Sequence, residues 1–116
     1  MILNDFETGW KNVFEERLVH LQKLFPNVIF TSKERFKAML RIKATVPGDR
    51  LAQKVVDNVL HCIERDSARV CERCGKGGRR IMSEEYFSEP KTYCVNCYAI
   101  VLDEILQDLH EELSTP

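Results

Sequence analysis

The sequence predicts an α+β fold: two helices packed on a small antiparallel β-hairpin sheet, followed by a four-cysteine ribbon and a C-terminal helix. Three observations carry this expectation. Apolar residues recur at helical spacing in three stretches, residues 36–45 alternate apolar and polar side chains with a period of two, and two Cys-x2-Cys pairs stand nineteen residues apart. With 116 residues the chain has the size of one modest domain, divided by these patterns into a helix-hairpin-helix core over 1–67 and a ribbon with its helix over 68–116. Its 44% hydrophobic and 30% charged residues are those of an ordinary globular chain and argue against disorder.

The first helix is expected from about 5 to 25. Asn4 and Glu7 have capping-box spacing, and Phe6, Trp10, Val13, Phe14, Leu18, Leu21, Leu24 and Phe25 form the stripe that Pro26 ends. Trp10 reads as core because large aromatics dominate buried area. Gly9 costs a helix about 1 kcal/mol relative to Ala, which suggests a packing reason. Next, Asn27-Val-Ile-Phe-Thr31 reads as a short strand and Ser32–Arg35 as the turn after it. Phe36, Ala38, Leu40, Ile42 and Ala44 then give one apolar face, opposite the wet face of Lys37, Met39, Arg41, Lys43 and Thr45.

Pro47-Gly48 marks a boundary, with Asp49 as N-cap of a second helix that ends near 67. Its stripe is Leu51, Ala52, Val55, Val56, Val59, Leu60 and Ile63, and Cys62 reads as a small core residue. Ile81-Met82 and Tyr86-Phe87 are expected to supply ribbon strands on either side of the excursion that Pro90 closes. After Cys97, residues Tyr98, Val101, Leu102, Ile105, Leu106, Leu109 and Leu113 make a third stripe, so the second cysteine pair should open the last helix. That stripe is expected to pack on the core; a homodimer seam is the alternative, and a monomer is favoured.

The chemistry lies in Cys71, Cys74, Cys94 and Cys97. Two Cys-x2-Cys turns can aim four thiolates at the corners of a tetrahedron, the arrangement that holds one structural Zn2+ at about 2.3 Å per bond. Gly75, just past the first turn, suits a positive φ. Local disulfides are disfavoured by the odd total of five cysteines, and a redox Cys-x-x-Cys by the absence of a βαβ pattern around either pair. Four protein ligands leave no open coordination position, so the metal should hold the fold and not activate water.

Charge is unevenly placed. Residues 69–80 hold Arg69, Arg73, Lys76, Arg79 and Arg80 against Glu72, whereas residues 98–113 hold Asp103, Glu104, Asp108, Glu111 and Glu112 with no Lys or Arg. Arg73, Lys76, Arg79 and Arg80 thus form a candidate anion- or partner-binding tip. The formal charge of -1, which four thiolates and one Zn2+ would take to about -3, argues against nucleic acid as the first choice. His20, His61 and His110 lie in predicted helices without a nucleophile, base and orienter group, and His110-Glu-Glu112 follows both cysteine pairs where zinc deaminases need it before. No enzyme is expected. Short apolar runs and a start without a basic region predict neither a membrane span nor a secretory signal, hence a cytoplasmic chain.

The segments Ala68-Arg-Val-Cys-Glu-Arg-Cys-Gly-Lys-Gly-Gly-Arg-Arg80 and Lys91-Thr-Tyr-Cys-Val-Asn-Cys-Tyr-Ala99 resemble the C-terminal ribbon of small, mostly uncharacterised zinc-ribbon proteins of bacteria and their phages. In these a helix also leads into a C-E-x-C-G turn, and His often stands at the position of Cys97. The resemblance implies a phage or mobile-element protein that acts by docking on a protein or nucleoprotein complex, such as a host defence complex. Direct nucleic-acid binding through the basic tip is the alternative.

Overall fold

A computed structural model describes residues 2–81, 87 and 89–114, with side chains to residue 110. The element order is α1 (Thr8–Leu24), β1 (Ile29–Phe36), β2 (Met39–Thr45), α2 (Arg50–Ser67), β3 (Arg79–Ile81), β4 (Lys91–Tyr93) and α3 (Val95–Ser114). This is the α+β arrangement expected. Among the described residues no helix is long and apolar enough to cross a membrane.

Helix α1 starts three residues later than expected because its N-terminus is finished differently. Glu7 is the N-cap and makes no side-chain cap bond, so the Asn4–Glu7 box does not form. Instead the Glu15 carboxylate accepts the N–H groups of Ile2 and Leu3, the latter at 2.8 Å, and folds the chain start back over the helix with Leu3 fully buried.

The hairpin turns at a different place from the one the sequence suggests. Residues 32–35 lie inside β1, which pairs antiparallel with β2 from Ile29↔Thr45 to Phe36↔Met39, with a bulge between Phe30 and Ser32. Lys37 (φ 51°) and Ala38 (φ 64°) make the turn, both in the left-handed region that a two-residue type I′ hairpin requires. Phe36 and Ala38 therefore belong to a strand end and a turn, not to one strand with Leu40. The apolar face itself is present: Leu40, Ile42 and Ala44 are buried.

Asp49 caps α2 as expected, accepting from the Ala52 N–H at 3.0 Å. Ala52, Val56, Leu60 and Ile63 are buried against the hairpin and α1, joining Trp10, Phe14, Leu18 and Leu21 in one core. Leu51 and Val55, expected on the stripe, lie at its margin and are exposed. Cys62 is also exposed and not core, because it lies about 100° round the helix from Ile63. Helix α2 further covers the open edge of β2. Ser67 Oγ accepts from Leu40 N–H at 2.7 Å, while Gln53 accepts from Val46 N–H and donates to Ala44 O. These bonds cap the β2 edge near both of its ends, where another strand would otherwise find free backbone groups.

The ribbon strands β3 and β4 pair antiparallel through Arg79↔Tyr93, Arg80↔Thr92 and Ile81↔Lys91. Ile81 is a strand residue as expected, and the strand extends back through Arg80 to Arg79. Met82 and Tyr86 fall outside the described residues. Phe87 is not in a strand but packs near Tyr93 and Tyr98, with ring centroids 6.0 and 6.3 Å away. A chain of 116 residues folded into one sphere-like body would have a radius of gyration of about 13 Å. Here it is 17.2 Å, with extents of 62 × 27 × 22 Å. Helix α3, about 30 Å long by its rise per residue, accounts for much of that elongation.

Candidate metal centre

Each cysteine pair is built by one helical-type turn. Gly75 N–H donates to Cys71 O and Tyr98 N–H to Cys94 O, both at 2.9 Å, so the two turns repeat each other around the centre. In the first, Gly75 has φ +83° as expected, and Cys71 N–H is held by Lys76 O at 2.7 Å. The second opens α3, with Cys97 in its first turn.

The four sulfurs converge. Cys71, Cys74, Cys94 and Cys97 each offer one ligand atom, all within 4.8 Å of one another. A tetrahedron with bonds of about 2.3 Å has S···S edges of about 3.8 Å, close to the 3.6 Å between Cys74 and Cys94. The donor set therefore fits a tetrahedral metal ion, and no disulfide joins any of these cysteines. Backbone amides tune the thiols. Cys97 N–H points at Cys94 Sγ at 3.4 Å and, with the neighbouring sulfurs, brings the Cys94 thiol down to about 7. Burial, followed by the surrounding sulfurs, pushes Cys97 up to about 12. The Cys97 N–H thus favours the charged form of the Cys94 sulfur.

The first turn is set deep against the core, and Gly9 explains how. A Cβ at position 9 would lie 2.3 Å from Cys71 O and 2.5 Å from Glu72 O. Only glycine lets the turn dock on α1, where Trp10 N–H donates to Glu72 O at 3.2 Å. Trp10 is core, fully buried, and its indole N–H ties Val70 O at 2.9 Å, just before the first ligand.

Glu72 is the residue that sequence reasoning passes over. It is fully buried between the first two ligands, with Arg35 of β1 on one carboxylate oxygen (Nε at 2.6 Å) and Thr92 N–H of β4 on the other (2.7 Å). Arg35 continues to Glu89 at 2.9 Å, while Thr92 Oγ1 donates to Ala38 O at the hairpin tip at 2.7 Å. Burial pushes the Glu72 carboxyl above the ordinary carboxylate range against the pull of Thr92 N–H and Arg35. The pattern's only local sign is an acid between two ligands in an otherwise basic run; its partners are 37 and 20 residues away.

The basic tip is divided. Arg73 pairs with Glu104 of α3 at 3.2 Å, and Arg80 donates to Lys37 O, with Nε at 2.8 Å. Lys76 and Arg79 are exposed. The structure therefore does not gather all four cations into one free patch. At the root of α3, Arg73 and Glu104 border a cleft of about 360 Å³ shared with Glu7, Thr8, Tyr93 and Val101. Farther along, Leu102 and Ile105 are half-buried, but Leu106 and Leu109 are 50% and 44% exposed. The expectation that this stripe packs on the core fails for those two, because α3 leaves the body after its first turns. The side chain of Leu113 lies outside the described residues.

No known family model, curated protein or solved structure matches the chain.

Proposed function

We propose that this chain is a non-enzymatic, zinc-stabilised docking protein that engages a protein partner through α3. The observation that carries the reading is the exposed apolar stripe of α3, held out from the body on a four-cysteine centre. Four thiolates, with no fifth donor beside them among the described residues, suit a closed structural Zn2+ site, and the small sulfur cage fits its bond length. Such a metal fixes geometry and leaves no position for substrate. A contiguous apolar face on a soluble helix marks an interaction surface. Direct nucleic-acid binding by the basic tip is the weaker reading, since Arg73 and Arg80 are engaged inside the molecule.

Elemental analysis of protein purified without chelator should give one zinc per chain; disulfides in place of metal would remove this part of the proposal. For the docking part, a photo-crosslinking residue at position 106 should form protein adducts in cells that produce the chain. Adducts to nucleic acid at position 79 with none to protein at 106 would promote the alternative.

A further inference from the structure

Building on the docking reading, we infer that α3 binds a basic amphipathic helix of its partner, with leucine-type residues on the helix seam and Lys or Arg beside them. Leu102, Ile105, Leu106 and Leu109 follow the i, i+3, i+4, i+7 spacing of a single face about 100° wide, the width of a seam that another helix covers. Asp103 borders this face on one side and Asp108 on the other, both exposed. Charge is what selects the occupant. Residues 1–97 carry 17 basic and 13 acidic residues, a balance of +4, while residues 98–116 carry five acids and no Lys or Arg, -5.

Other occupants meet that charge unfavourably. A second copy pairing α3 with α3 would set Asp103 and Asp108 of one helix against those of the other, and like charges flanking a helix seam oppose pairing. An anionic membrane surface favours helices with Lys and Arg on the polar face, the reverse of α3. Phosphate chains are repelled for the same reason. A basic helix satisfies both features at once, because its apolar residues cover the stripe and its cations meet acids on a helix that carries no Lys or Arg. Charged flanks also speed encounter and reject acidic competitors.

The test uses the metal-loaded full chain and three synthetic peptides of about 21 residues: a leucine-striped helix with lysine flanks, the same stripe with glutamate flanks, and the lysine peptide with its order scrambled. The first should bind and the other two should be at least about tenfold weaker. Leu106→Ser with Leu109→Ser should weaken the first by about tenfold or more while metal content and far-UV circular dichroism stay unchanged. Asp103→Lys with Asp108→Lys should invert the preference toward the glutamate peptide without touching the stripe. Equal binding of the scrambled peptide, or no binding of the lysine helix, would overturn the inference. So would a sedimentation mass of twice the monomer that the two serine substitutions abolish, since a second copy would then be the occupant. Crosslinking from position 106 to a protein, combined with no affinity for the lysine helix, would leave the docking reading standing and sink only this one.

Discussion

Helices α2 and α3 are alike on paper and opposite in the structure. Both are amphipathic and of similar length, 18 and 20 residues. In α2 the stripe residues Ala52, Val56, Leu60 and Ile63 are at most 5% exposed, covered by the hairpin and α1, whereas α3 carries Leu106 and Leu109 into solvent. Periodicity reveals that a helix has a face to cover; what covers it depends on where the chain leads. Asp49 starts α2 directly after the hairpin, so the helix returns along β2. Cys94 and Cys97 start α3 at the metal centre, and the helix runs outward.

The contrast should break most sharply on removing the metal. Structural zinc contributes on the order of 10–16 kcal/mol in small zinc-finger peptides. Chelation, or Cys71→Ser, should abolish amide-exchange protection at Thr92, Tyr93 and Cys97 while leaving it at Val56 and Leu60. Acid should act in the same direction. Cys94 is held near 7, below the ordinary thiol, so its thiolate supports the folded site fully above the ordinary thiol range. That support is lost as pH falls through about 7, where protons compete for the sulfur, and metal affinity measured by chelator competition should fall steeply over the same interval.

Next in size is the direct comparison of the two stripes. Leu60→Ala should cost roughly 2–5 kcal/mol of unfolding free energy, the range for deleting a buried leucine. Leu109→Ala should stay within about 0.5 kcal/mol in the isolated chain. Equal effects of the two in denaturant titration would mean that α3 is covered after all.

Gly9→Ala should cost roughly 1–3 kcal/mol despite the better helix propensity of alanine, because the added Cβ meets the carbonyls of Cys71 and Glu72. Parallel loss of metal affinity would show that the seat of the first turn also sets the centre on which α3 stands. The smallest effect belongs to the hairpin that covers α2. Lys37 is exposed at φ 51°, where glycine is at ease, so Lys37→Gly should raise stability by up to about 1 kcal/mol in thermal unfolding.

Much of this architecture is legible from local chemistry. Asp49 announces α2, the cysteine spacing announces the four-sulfur centre, and Gly75 and Gly9 mark a positive φ and a close approach. The hairpin turn is hidden for two reasons. Lys37 and Ala38 carry none of the Asn or Gly that type I′ turns usually show, and Ala38, buried at the turn, lets the apolar alternation run straight through it. Cys62 could have been placed from its helical angle alone. The Glu72, Arg35 and Thr92 network could not, because its members come from three elements that only folding brings together.

The division of ligands between the two turns has a mechanical consequence. Cys71 and Cys74 belong to the turn fixed on α1 by Gly9 and Trp10, while Cys94 and Cys97 form the root of α3. The four sulfurs are thus the mount of a lever about 30 Å long. A 10° change of angle at the mount displaces its far end by about 5 Å, nearly one helical turn. Leu106 and Leu109, about 17 and 21 Å from the start of the helix, would swing sideways by about 3 to 4 Å for the same change, so the aim of the arm is set by the packing of four sulfurs at its base.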